Sequence, residues 1–263
     1  MIFPELTWVL LLVAAALCAI GFYKFVYFMS VGYGLAVGGI GAAIFIIALI
    51  RGNLTPVMAV LCLLLLVYGI RLGGFLLVRE IKSAAYRKTL NAQTGKPVPI
   101  FVKIFMWIFM AVLYVMEASA IWYREAAAPG GVQLTAWIGA LIMLCGILLE
   151  ALADRQKSAA KKIDPNRPAM DGLYKFSRCP NYFGEITFWT GVFISGWGVL
   201  KGGQWIVAIL GYLMILGIMI SGAQRLEKRQ NKNYGHMPEY RAYVEKTPIL
   251  VPFIPVYHLV KEK

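Results

Sequence analysis

Apolar residues fall in seven long blocks along the chain: 6–28, 31–50, 55–78, 99–122, 132–153, 182–200 and 204–222. Each approaches or exceeds the roughly 20 residues a helix needs to cross a hydrocarbon core. The pattern predicts an all-α, polytopic membrane protein with seven transmembrane helices. Block 6–28 is preceded by Met-Ile-Phe-Pro-Glu, with no basic n-region, and so predicts a retained helix and not a cleaved leader. Block 31–50 carries Gly34, Gly38 and Ala42 at small-xxx-small spacing, which predicts close helix packing. Beyond Gly222 the texture turns polar. That stretch predicts a cytosolic C-terminal helical segment: a helix, a turn at Tyr234 and Gly235, and a short second helix. Pro248, Pro252 and Pro255 would end it.

Composition agrees with the pattern. The chain is 60% hydrophobic and 15% charged, against about 25% charged in a soluble domain. That excludes a disordered chain or a disulfide mini-protein. The net charge of +13 raises nucleic-acid binding, but the apolar blocks leave little solvated surface for it. The charge sorts instead by side: 22 of the 26 Lys and Arg residues fall on one side of the seven spans. The positive-inside rule puts that side in the cytoplasm, with the N-terminus outside and the C-terminus cytosolic. Cys18, Cys62 and Cys145 lie in apolar blocks and Cys179 in a loop. Their spacing forms no zinc motif, which predicts buried, reduced thiols and no metal.

Charged groups inside spans are costly and are functional candidates by default. Arg71 lies one turn after Tyr68, and Glu117 three residues after Tyr114 on the same face. Arg71 can also snorkel to the interface, and Glu117 can sit at the outer boundary near Arg124 and Glu125. Glu150, Asp154, Lys157 and Lys161 line one helical stripe. They either pair among themselves or grip a polar ligand, carboxylates taking hydroxyls and lysines phosphates.

The segment Asp-Gly-Leu-Tyr-Lys-Phe-Ser-Arg-Cys-Pro-Asn-Tyr-Phe-Gly-Glu, 171–185, carries the densest chemistry. Pro180 should start a helix near Asn181. Asn181 either caps that helix or binds a ligand, and Glu185 follows it by one turn on the same face. Gly184 permits close approach of a backbone or a ligand. Arg178 suits a phosphate; Asn181 and Glu185 suit a carboxamide or hydroxyls.

This segment, the preceding Glu150-x-x-x-Asp154-x-Gln156-Lys157, the later Glu-x-Arg, Tyr-x-x-Tyr and Pro-Phe, and Tyr68-x-x-Arg71 together resemble the steroid 5α-reductase family. The resemblance is strong over 140–255, weaker over 60–120 and slight before that. It implies a seven-helix enzyme that encloses NADPH and reduces a carbon–carbon double bond conjugated to a ketone in a steroid-like or other lipid. Such an enzyme would sit in a bacterial inner membrane, or in the endoplasmic reticulum of a eukaryote. By motif, Glu150, Asp154, Lys161, Arg178, Asn181, Tyr182, Glu185 and Arg225 would contact the dinucleotide. Tyr68 would hydrogen-bond the substrate ketone. The family's histidine is replaced by Cys179, and its Gln-Glu pair in the second span is missing. Tyr33 or Glu117 is the candidate replacement, and Tyr33, Arg71 and Tyr114 are the candidates to line the substrate. Residues 1–122 then form a substrate-side half and 123–263 a cofactor-bearing half. Isoprenylcysteine carboxyl methyltransferases share a similar Arg-x-Pro segment and bind S-adenosylmethionine, which makes a membrane methyltransferase the first alternative. A non-catalytic scaffold or transporter is the second, though the inverted repeats expected of a transporter are missing.

Overall fold

The computed structural model describes residues 2–82, 98–127 and 133–260. Val132, where one block begins, and Arg87, Lys88, Lys96, Lys261 and Lys263, all counted in the charge asymmetry, lie outside the described residues. Among the described residues every long regular element is a helix. In chain order these are α1 (Glu5–Cys18), α2 (Val31–Ile50), α3 (Pro56–Lys82), α4 (Ile100–Glu117), α5 (Ser119–Ala126), α6 (Gln133–Ile163), α7 (Pro180–Ser195), α8 (Gln204–Tyr234) and α9 (Pro238–Lys246). Six are long and apolar enough to cross a membrane: α2, α3, α4, α6, α8, and α1 with its extension, Glu5–Phe22. The chain forms two compact units. One comprises Met1–Ala140 and Val192–Tyr212; the other comprises Leu141–Gly191 and Leu213–Lys263.

In the first unit, α2 and α3 touch backbone to backbone. A Cβ on Gly34 would lie 2.6 Å from Gly69 O, and one on Gly69 only 2.4 Å from Gly38 N. The small-xxx-small pattern of α2 therefore finds its partner in Gly69 and Gly73 of α3. In lipid, helices gain little by hiding apolar surface, so such contact is a main source of attraction. The Trp107 indole of α4 donates to Ala15 O of α1 at 2.7 Å, and the Tyr123 hydroxyl to Ile2 O at 2.7 Å.

Three blocks depart from single, full-length helices. Block 6–28 ends its α-helix at Cys18 and continues as two 3-10 turns, Ala19–Phe22 and Phe25–Met29. The chain doubles back there, with the Phe28 ring pressed on Gly21 where a Cβ would sit. Block 99–122 breaks at Ala118 into α4 and α5. The Trp122 indole takes the Val115 carbonyl at 2.9 Å, so the break leaves that group satisfied. Block 182–200 forms α7, which is 16 residues long and ends at Ser195. Gly196 packs on Ala120, and Arg124 takes the freed carbonyls: Nε to Ser195 O at 2.7 Å and Nη2 to Trp197 O at 3.2 Å. A cation at a helix C-terminus is favoured by the carbonyl dipoles there.

The helices α6 and α8 run past their apolar stretches without a break. At 31 residues each, they are about 46 Å long. The turn after Tyr234 and the short helix α9 lie where the polar texture placed them.

The α2–α3 seam makes Gly69→Ala destabilising by about 1–3 kcal/mol, because its Cβ meets backbone that cannot step aside. Gly74→Ala, which meets nothing within 4 Å, should be neutral. Thermal unfolding of the two variants in detergent compares them directly.

Candidate functional site

The sequence-derived candidates fall into two clusters, one in each unit. In the first unit the glycine seam sets the geometry. Tyr33 precedes Gly34, Tyr68 precedes Gly69, and the close approach brings their hydroxyls to 3.2 Å. Both side chains are buried, Tyr68 completely. The Tyr114 ring lies 4.9 Å from that of Tyr33, and its hydroxyl donates to Phe28 O at 2.7 Å. Tyr33, Tyr68 and Tyr114 thus come together. Arg71 lies one turn beyond Tyr68 and is half-buried. Glu117 is buried at the last position of α4, beside the break.

In the second unit a second seam does the same work. A Cβ on Gly146 of α6 would lie 2.7 Å from Gly184 O of α7, and one on Gly184 would lie 2.7 Å from Glu150 N. Gly184 therefore serves backbone contact, which sets Glu150 against the turn that carries Glu185. Glu150, Asp154 and Glu185 are all buried. Asn181, one turn before Glu185, holds a buried Oδ1 that accepts no hydrogen bond. Buried polar atoms are nearly always satisfied, so an orphan of this kind points to a ligand or a water. Tyr182 packs on Gly222 and lies in the field of Glu185, Arg225 and Arg229. Arg225 and Arg229 are exposed on α8.

Two of the candidates are held by protein. Arg178 is 2% exposed. Its Nη2 donates to Glu227 Oε1 at 2.9 Å and to the carbonyl of Tyr257. Glu227 Oε2 in turn accepts Leu259 N–H at 2.9 Å, and His258 lies at 3.3 Å. Lys161 donates to Pro165 O, Arg167 O and the Tyr234 hydroxyl, closing the loop after α6. Gln156 also acts locally: its Oε1 accepts Leu173 N–H at 2.9 Å and fills the space above Gly172, whose φ is +65°.

Sequence reasoning gave no individual role to Glu227, which opens a Glu-x-Arg motif, or to Ser177. The Ser177 hydroxyl donates to Leu250 O at 2.8 Å and accepts Cys179 N–H at 3.2 Å, tying the start of α7 to the tail. For Glu227 the signal was a single carboxylate among Arg225, Lys228 and Arg229. Cys179, in the place of the expected histidine, is fully buried in the cluster of Ala223, Leu226, Ile249 and Leu250. Burial pushes its thiol up to about 11, so it is a packing residue and not a nucleophile.

A family model described as a protein of unknown function, DUF1295, matches residues 29–247. The chain belongs to the DUF1295 family. The match takes in both clusters, from Tyr33 to the end of α9. This DUF1295 chain is also similar to 3-oxo-5-alpha-steroid 4-dehydrogenase 1 of Bos taurus, 21% identical over 163 residues. That similarity covers 61% of this chain, and the chain spans 58% of the bovine protein's length. No solved structure matches.

The Arg178–Glu227 pair is fully buried, so removing one partner strands the other charge. Glu227→Ala should cost about 3 kcal/mol or more in thermal unfolding. Arg178→Met combined with Glu227→Leu should recover much of that loss.

Proposed function

We propose that this chain is an NADPH-dependent oxidoreductase of the membrane that reduces a ketone-conjugated carbon–carbon double bond in a steroid-like or other lipid. The observation that carries the reading is the buried, unsatisfied Asn181 Oδ1, one turn from the buried Glu185. An acceptor and a carboxylate side by side suit the amide and hydroxyl donors of a dinucleotide. The similarity to the bovine steroid dehydrogenase supports the reaction class.

In this reading Asn181, Glu185, Glu150 and Asp154 bind and orient the dinucleotide, with Tyr182 beside it. Arg225, exposed on α8, meets a phosphate. Arg178 and Lys161 act by holding the segments that carry these groups. When bound, NADPH supplies the hydride for the β carbon of the enone. Tyr68 donates a hydrogen bond to the ketone oxygen as negative charge develops there, and a proton reaches the α carbon. Tyr33 holds the Tyr68 hydroxyl and stands where the family's second-span glutamate is missing. Arg71, Tyr114 and Glu117 line the same side, and the apolar helices exclude water. The substrate-side half is 1–122 and the cofactor-bearing half 123–263.

The proposed topology is seven spans, with α7 and the turn after it as the sixth. The N-terminus is outside and the C-terminus cytosolic, in the inner membrane of a bacterium or the endoplasmic reticulum of a eukaryote. The basic excess then surrounds the cytosolic helix ends and draws in an anionic dinucleotide.

Mass spectrometry of nucleotide retained by the purified protein tests the assignment. NADPH is expected; S-adenosylmethionine would instead identify a methyltransferase. Asn181→Ala and Glu185→Gln should each weaken NADPH binding about tenfold by calorimetry, the worth of one good hydrogen bond. Unchanged binding in both would misplace the site. Tyr68→Phe should leave NADPH affinity intact and lower turnover of an enone lipid about a hundredfold.

A further inference from the structure

The loop that follows α9 spends backbone strain to expose an aromatic ring. Phe253 has φ +66°, the left-handed region that a bulky side chain avoids. Its side chain is nonetheless 86% exposed. Three backbone bonds hold the loop in this shape: Ile249 N–H to Val256 O at 2.9 Å, Ile254 N–H to Val251 O at 3.3 Å, and Val256 N–H to Ile254 O at 2.7 Å. The inner side of the loop is anchored, with Ile249 and Leu250 buried against Cys179, Ala223 and Leu226. The outer side presents Phe253, Ile254 and Val256, and Phe176 joins them with its ring 6.4 Å from that of Phe253. A hydrogen-bonded loop that holds three apolar side chains outward, with Phe176 beside them, forms an exposed apolar patch that suits an apolar partner phase.

The height of this loop on α8 says what that is. The apolar run of α8, with Leu213, Ile218 and Ile220 exposed, ends at Gly222. The loop packs on Ala223 and Leu226, and the chain just after it is held by Gln224, whose Nε2 donates to Leu259 O at 3.5 Å, and by Glu227. These residues form the first turn past the apolar run, so the loop sits about 6 Å along the helix from the edge of the hydrocarbon. Exposed cations flank that level: Arg225, Lys228 and Arg229 on α8, and Lys175 next to Phe176. Aromatic rings beside basic residues suit the boundary between acyl chains and anionic headgroups.

We infer that residues 251–256, together with Phe176, are an interfacial anchor: Phe253 inserts into the headgroup layer of an anionic bilayer and pins the start of α7 at the membrane surface. The link to α7 is direct, since Arg178 N–H donates to Pro248 O at 2.9 Å and Ser177 to Leu250 O. This inference does not depend on the reductase reading.

A nitroxide at Phe253→Cys, in a Cys145→Ala background, tests it. Cys18, Cys62 and Cys179 are buried and escape labelling. The full chain is placed in vesicles of phosphatidylcholine and phosphatidylglycerol, and collisions with oxygen and with a water-soluble nickel chelate are compared. Labels at Lys228→Cys and Leu213→Cys mark the aqueous and lipid limits. The Phe253 label should favour oxygen and sit about 5–10 Å below the phosphates. Nickel access equal to that at Lys228 would overturn the inference, showing a solvated loop. Shielding from both reagents would also overturn it, showing a protein partner over the loop.

Discussion

Direct contact between helix backbones at glycine is the constraint on which the rest of this protein depends. Gly34 meets Gly69 in one unit, and Gly146 meets Gly184 in the other. At neither crossing is there room for a single added carbon. In a bilayer the lipid tails are as apolar as any side chain, so dispersion and weak Cα–H···O contacts carry the attraction. Each crossing also aims its neighbours. Tyr33 and Tyr68 flank the first seam and are thereby forced to 3.2 Å. Glu150 and Glu185 flank the second and are drawn inward among buried carboxylates. Packing and candidate chemistry are set by the same four residues.

Buried polarity is managed differently in different parts of the chain. Arg124, Trp122 and Tyr114 spend their donors on carbonyls left open at helix ends and breaks. Arg178 and Glu227 neutralise each other and gather the tail, through Leu259 and Tyr257, onto α8. Lys161 does the same for the loop after α6. These groups are hydrogen-bonded within the protein, and removing one leaves a buried atom without a partner. Asn181 Oδ1 is of another kind, a buried acceptor with no hydrogen bond to the protein. Arg178 shares part of that character, since its Nε and Nη1 are likewise buried without a hydrogen-bond partner.

Much of this was readable along the chain. Helix existence, the packing face of α2, the turn after Tyr234 and the concentration of chemistry between Asp171 and Glu185 all follow from periodicity, small-residue spacing and local charge. The breaks at Cys18 and Ala118 were not, because both lie inside long, mainly apolar runs and depend on how side chains seven residues apart fold back on the chain. Gly21 accommodates Phe28, and the Val115 carbonyl is taken by Trp122. Likewise Arg178 and Lys161 read as phosphate ligands from their company in the sequence. Their acceptors, Glu227 and Tyr234, are 49 and 73 residues away.

By itself, then, the sequence determined that the chain forms helices long and apolar enough to cross a bilayer, and that Asp171–Glu185 is dense in polar residues. Both depend on local quantities: hydrophobic length, charge and spacing within a turn or two. Only the tertiary structure decided which charges are spent on the protein, which tyrosines meet, and that Phe253 points outward under strain. Those outcomes depend on which backbones can touch, and that is a property of pairs of distant residues that no local pattern encodes.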